Sequence, residues 1–324
     1  MSGDFGPRIT IPAVLQIARA ESRVNFSLVG NLPVLQQWLA ENHQTLPANV
    51  ELQPSTSVIA MDENPRRALR QTGDSSLAVA LSRLGENDAD ACISAGNSGA
   101  LVLLAKRYVG CVEGVDLPAF CKAMPVETGA TLMLDLGANL YCDADKLVQF
   151  ATMGQVLARA SGVATPRVAL LNIGAEEGKG TENIRTAAER LSAWADIHYV
   201  GFIEADEIYA GQVDVIVCDG FTGNIALKTS EGVARLIARK IERSLQQGLW
   251  RLPALLLWPL VRQWRRDLNP DAYNGAVLVG LNKVVIKSHG GASVEAFANA
   301  VALALAQVRE GVPDKIARSL AAAE

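Results

Sequence analysis

The chain has few of the residues and spacings that mark metal, disulfide or nucleotide chemistry. Its five cysteines (Cys92, Cys111, Cys121, Cys142 and Cys218) are odd in number, scattered, and never spaced as CxxC. That argues against both a disulfide framework and a zinc site. No GxGxxG or GxxxxGK[ST] stretch occurs, so neither a conventional dinucleotide site nor a P-loop is supported. GxSxG and HExxH are missing as well, which removes the usual serine-hydrolase elbow and the usual zinc-protease helix. Aromatic residues make up 5% of the chain, and the net charge is −4. A protein of that charge is not built mainly to coat nucleic acid. The opening "MSGDFGPRIT" lacks a basic segment followed by an apolar one, so no secretory start is expected. Together these features predict a cytosolic protein without metal or cofactor.

What is present is alternation. With 49% apolar residues in 324, the chain can bury a large core, and nothing in it resembles a linker, so residues 1–324 are expected to form a single domain. Short apolar runs alternate with longer helical patterns almost from end to end. This predicts an α/β fold in three layers, a mainly parallel sheet with helices on both faces. Five runs, "DACISAGNSGA", "TLMLDLGAN", "RVALLNIGAEEGKG", "VDVIVCDGFTGN" and "KVVIKSHGGAS", leave a strand through glycine and small polar residues. In an open parallel sheet such turns share the carboxyl edge, where helix N-termini favour an anion. Of the three histidines, His289 stands out, because it ends a strand beside Lys287 and two glycines.

One segment does not fit a sheet protein. From Glu231 the pattern is helical, and "GLWRLPALLLWPLVRQWRRDL" (Gly248–Leu268) carries Trp250, Leu255, Leu256, Leu257, Trp258 and Arg262. Its apolar core is far shorter than the ~20 residues of a spanning helix and is interrupted by Pro253 and Pro259. A protruding helical hairpin at about 231–272 is expected, either an interfacial anchor on anionic lipid or a subunit contact.

The order of "ISAGNSGAL", "LMLDLGANLYCDADKLVQFATMG", "LLNIGAEEGKGTENIR", "VDVIVCDGFTGNIALKTSEGVA" and "VVIKSHGGASVEAFANAV" closely resembles the PlsX-type phosphate acyltransferases of bacterial phospholipid synthesis. The resemblance implies a fold similar to phosphotransacetylases and isocitrate-dehydrogenase-like enzymes, and a homodimer at the inner face of the membrane. It implies that inorganic phosphate attacks the thioester of a long-chain acyl group on acyl carrier protein. The resulting acyl phosphate would pass to a membrane glycerol-3-phosphate acyltransferase. On that reading, phosphate lies among Asn97, Ser98 and Gly99, with Lys228 and Lys287 as cations and His289 and Asn224 as donors. Asp135 and Asp219 orient those donors, because a carboxylate aimed at phosphate would repel it; Asn139, Asn172 and Glu177 are lesser candidates. Two alternatives stand beside this: a phosphotransacetylase-like enzyme on short acyl-CoA, and a membrane-associated scaffold without catalysis. The chain also departs from the family pattern. It begins inside the family's opening "DAMGGDxAP"-like turn, so either its start lies further upstream or the sheet lacks an element. Thr72, Gly73 and Leu117 replace residues that are usually basic.

Overall fold

The computed structural model describes residues 1, 3–71, 73–246 and 273–322. Trp250, Leu255, Leu256, Leu257, Trp258 and Arg262 of the expected hairpin, and Thr72, lie outside them.

The five glycine-ended runs all begin as strands. They are β3 (Ala91–Ser94), β5 (Ala130–Leu134), β6 (Val168–Leu171), β8 (Val215–Val217) and β10 (Val284–Lys287). With β4 (Ala119–Pro125), β7 (Tyr199–Ile203) and β9 (Ala276–Val279) they form one sheet in the order β3-β10-β9-β4-β5-β8-β6-β7. A separate two-stranded sheet pairs β1 (Phe26–Gly30) with β2 (Val50–Pro54) in parallel.

Parallel pairings predominate, as expected, but three antiparallel contacts (β10–β9, β9–β4 and β4–β5) interrupt them. An odd number of reversals turns the second half of the sheet around. The carboxyl ends of β3 and β10 therefore face one edge, while those of β5, β8 and β6 face the opposite edge. The glycine turns do not share a single edge, which corrects the expectation from alternation alone: periodicity identifies a strand but not its direction.

Helices cover both faces. Side chains of alternate strand residues, such as Val215 and Val217 against Ile216, enter two separate cores. One face carries α6 (Ala144–Ala160), α7 (Glu182–Ala193), α9 (Val294–Arg309) and α10 (Val312–Ala321). The other carries α3 (Pro65–Gln71), α4 (Ser76–Gly85), α5 (Ser98–Tyr108) and α8 (Gly220–Gln246). A third cluster joins α1 (Pro7–Ala20) and α2 (Leu32–Glu41) to the small sheet and to Phe297 and Val301 of α9. Phe150, 1% exposed, and Met133, fully buried, are typical core residues; each such burial is worth roughly 1.5–3 kcal/mol.

The helix expected from Glu231 begins eleven residues earlier, at Gly220. Asp219 caps it: Oδ1 accepts the Thr222 amide at 2.8 Å and Oδ2 the Thr222 hydroxyl at 2.9 Å. That cap offsets two glycines in the first turn, and those glycines have a packing role. A Cβ on Gly223 would lie 2.0 Å from the Asp135 carbonyl oxygen, and one on Gly220 would lie 2.6 Å from that of Asn139.

Candidate active site at the β3–β10 edge

β3 and β10 are parallel neighbours with Ser94 opposite Lys287, and the Ser288 amide donates to the Ser94 carbonyl at 2.9 Å. The turn after β3 and the turn after β10 are thereby held side by side. After β3, Asn97 caps α5: its Oδ1 accepts the Ala100 amide at 3.0 Å, while Nδ2 donates to the carbonyls of Met61 and Glu63. Asn97 is buried, so it shapes the turn. Ser98 is exposed and Gly99 half-buried at the helix's free N-terminus, where amide groups and dipole favour an anion.

After β10, the turn is braced from below. The buried Asn274 donates to the Ser288 hydroxyl and to the Ala296 carbonyl, both at 2.8 Å, and its Oδ1 accepts the His289 amide at 3.0 Å. His289 Nδ1 accepts the Gly291 amide at 3.1 Å. In the neutral ring that leaves the proton on Nε2, facing outward as a donor. Lys287 donates to the Ser288 carbonyl.

Positive charge accumulates here. Burial, and then the charge of Lys228, push the Lys287 ammonium down to about 8, against the pull of Asp4. Burial also lowers His289, with Lys228, Lys287 and Lys122 adding to the effect and Glu231 opposing it. Burial would raise the Glu231 carboxyl, but a hydrogen bond from Lys228 at 3.0 Å and the charges of Lys228, Lys122 and His289 hold it below its usual range. Lys228 and Glu231 reach this edge because α8 starts at the opposite edge and runs back along the sheet.

Sequence reasoning named Lys287, His289 and Lys228 here and missed Lys122, Glu231 and Asp4. Lys122 is in the middle of β4, where a lysine reads as a strand residue with a solvated tip. Asp4 arrives from the chain's opening loop, its amide donating to the Gly290 carbonyl at 2.9 Å. No periodicity connects residue 4 to residue 290.

The remaining candidates lie at the other edge. Asp135 is fully buried. Its Oδ1 accepts the amides of Phe120 at 2.8 Å and Ala138 at 3.2 Å, and its Oδ2 accepts the amide and the side-chain nitrogen of Asn139. Burial raises its pKa despite those bonds. Asn139 also donates to the Pro118 carbonyl, and Asn172 to that of Lys179. Their Oδ1 atoms are buried without a protein partner, and their side-chain nitrogens already donate within these loops. Glu177 is exposed in the loop that follows β6. Asp219 caps α8, and Asn224, exposed one turn along it, lies against Gly137. Asn224 stands one turn before Lys228 on the same face of α8, and the other five stay in the loops and the cap of this edge.

The buried cysteines offer no nucleophile. Burial pushes Cys92 and Cys142 up to about 12 and raises Cys121 and Cys218 as well, so none is a thiolate at neutral pH. Among the described residues no group of three or more His, Cys, Asp and Glu side chains is arranged to hold a metal.

The chain as a whole has relatives among known proteins. The family described as "Fatty acid synthesis protein" matches residues 1–315. The chain belongs to this family. It is 47% identical over 319 residues to a phosphate acyltransferase of Cellvibrio japonicus (strain Ueda107), covering 98% of this chain and 95% of that one. It is 44% identical over 319 residues to a phosphate acyltransferase of Shewanella halifaxensis (strain HAW-EB4), covering 98% and 93%. Among solved structures, a phosphotransacetylase from Streptococcus pyogenes superposes with a TM-score of 0.64 at 16% identity, over 94% of this chain and 91% of that one. At that identity the likeness concerns the fold. As a member of the family the chain is an enzyme, a phosphate acyltransferase of lipid synthesis. No described helix is long and apolar enough to cross a membrane.

Proposed function

We propose that the enzyme transfers a long-chain acyl group from the thioester of acyl carrier protein to inorganic phosphate by direct attack. The observation that carries this reading is the meeting of Lys228, Lys287, Lys122 and His289 at one sheet edge beside the N-terminus of α5.

Hydrogen phosphate is held by Lys287, Lys228 and the Ser98–Gly99 amides, and one of its oxygens attacks the carbonyl carbon. His289 Nε2–H donates to the oxyanion that forms, a role that needs a neutral ring and matches its lowered pKa. The C–S bond then breaks. The departing sulfur takes the proton the phosphate gives up, so acyl phosphate and the free carrier thiol are the only products. No acyl-enzyme is needed, in keeping with the buried, protonated cysteines. Glu231 keeps Lys228 in place through their ion pair.

An apolar chain has a path to follow. Phe221, Ile225, Val233, Leu236 and Ile237 are each at least half exposed along α8, forming a stripe that passes the cluster. The stripe supports a long acyl substrate over a short one. The acidic carrier protein, anionic lipid at Trp250, Leu255–Leu257, Trp258 and Arg262, a homodimer, and delivery of acyl phosphate to a membrane glycerol-3-phosphate acyltransferase complete the proposal. Acyl phosphate is both reactive and poorly soluble, which favours making it at a membrane.

The test is phosphate-dependent release of carrier thiol, measured with acyl groups of increasing length. Long acyl carriers should turn over, and acetyl-CoA should not. Equal or faster turnover of acetyl-CoA would overturn the substrate assignment. An acylated Ser98 or cysteine, trapped without phosphate and found by mass spectrometry, would overturn direct attack.

A further inference from the structure

The chain as a whole is acidic, with a net charge of −4, yet two adjoining helices carry cations alone. α3 reads "PRRALRQ" and α5 reads "SGALVLLAKRY". Between them they hold Arg66, Arg67, Arg70, Lys106 and Arg107 and no acidic residue, and all five of these side chains are exposed. In α3 the buried Ala68 and the partly buried Leu69 face the core. The three arginines are left on the outside, with Arg66 and Arg70 one turn apart.

The two helices are locked to each other and to the turn after β3. A Cβ on Gly99 would lie 2.5 Å from Pro65 Cγ, at the start of α3, and Asn97 Nδ2 donates to the carbonyls of Met61 and Glu63 just ahead of it. Further along, the Arg107 guanidinium donates to the Leu69 carbonyl at 3.0 Å. α3 and α5 therefore run side by side in the same direction. Their cations begin beside Ser98 and Gly99 and reach Lys106 after roughly 12 Å of helix.

Helix stability does not account for this arrangement. Lys106 and Arg107 suit the last turn of α5, but Arg66 and Arg67 stand in the first turn of α3, where the helix dipole opposes a cation. Arg66 also repels Arg70 across one turn. Glu63, paired with Arg67 at 3.5 Å, offsets only part of that charge. A lipid surface fits the face poorly. Interfacial contacts combine cations with apolar anchors, and neither α3 nor α5 exposes a large apolar residue. Charges spread over two helices match instead the extended acidic surface of a protein, which they would steer in and orient.

We propose that this face of α3 and α5 is the docking surface for the acidic carrier protein, a site that presupposes the acyl-carrier substrate proposed above. A carrier seated on Arg66, Arg67, Arg70, Lys106 and Arg107 presents its thioester at the amino end of α5. The turn holding Lys287 and His289 stands beside it there.

The experiment compares two thioesters of the same long-chain acyl group, one on acyl carrier protein and one on pantetheine, which lacks the carrier's charge. In the full chain, the double variant Arg66→Glu/Arg70→Glu and the single variant Lys106→Glu should each raise KM for the acyl carrier by about tenfold or more while leaving kcat near that of the parent. Turnover of acyl pantetheine should be unchanged, and only the carrier reaction should slow as salt is added. Arg66→Lys/Arg70→Lys should restore the parent KM. If the glutamate variants melt early, Arg66→Gln/Arg70→Gln carries the same test, with an expected rise of about threefold. An unchanged KM for the carrier in these folded variants, with the parent still active on it, would overturn the docking surface alone. Equal losses with both thioesters would also overturn it, by making the face part of the reaction site. So would loss of binding to phosphatidylglycerol vesicles with a normal KM, which would make the face a lipid contact. A parent that turns over acyl pantetheine but not acyl carrier protein would instead remove the carrier substrate, and the docking surface with it.

Discussion

The two edges of the sheet are made from the same sequence vocabulary and do opposite things. At one edge, "SAGNSG" and "KSHGG" follow β3 and β10, and at the other, "DLGAN" and "CDGFTGN" follow β5 and β8. The first pair gathers an exposed imidazole, a mostly buried ammonium and the amides of a helix N-terminus around one spot. The second turns inward. Asp135 is enclosed by four donors, Asp219 closes a helix, and Gly220 and Gly223 let two backbones touch. Glycine beside a strand end thus marks close approach, and what approaches can be a ligand at one edge and another loop at the other.

That contrast is open to direct attack by mutation. The largest effect should come at the inward edge. Asp135→Ala leaves the amides of Phe120, Ala138 and Asn139 buried without an acceptor, so stability should fall by about 3–5 kcal/mol in denaturant titration. A change below about 1 kcal/mol would mean that Asp135 does not brace that loop.

At the outward edge the loss should be in turnover. Lys287→Ala and His289→Ala should each lower kcat/KM by about 10²-fold, about 2.7 kcal/mol of transition-state stabilisation, while melting as the parent does. His289→Gln, which keeps a donor, should lose about tenfold. Lys287 also sets a pH limb. With its pKa at about 8, the ammonium is present below that pH and lost above it, so phosphate saturation should weaken as pH rises through about 8. Lys287→Arg keeps its charge throughout that range and should move the limb upward. An unchanged limb would assign it to another group.

The smallest effect separates the two edges most cleanly. Asp219→Ala removes a helix cap, which should cost about 1 kcal/mol of stability and leave kcat near that of the parent. A hundredfold fall in kcat with normal stability would move Asp219 out of the scaffold and into the chemistry.

Much of the site's chemistry was legible in the residues themselves. A histidine between a strand and two glycines, beside a lysine, is an unusual neighbourhood in any α/β chain, and His289 and Lys287 could be named from it. Asn97 and Asp219 were expected to hold phosphate and to orient its donors, whereas in the fold each caps a helix. Lys122 and Asp4 were not legible, because each depends on contacts across strands or across most of the chain; Glu231 pairs locally with Lys228, but that it stands beside His289 is seen only in the fold. Lys122 meets His289 only when β4 lies two strands from β10, with β9 between them.

The sequence alone determined where strands and helices form, because apolar spacing and capping are local properties that hold whatever the neighbours are. It also determined the family, through long motifs in order. Strand direction was decided only in the folded sheet. The three antiparallel pairings at β9 and β4 depend on which edges meet, a long-range choice that leaves little trace in local spacing. That choice sent Asp135, Asn139, Asn172 and Asp219 to one edge, and left Lys287 and His289 at the other, where α8 returns Lys228 to meet them.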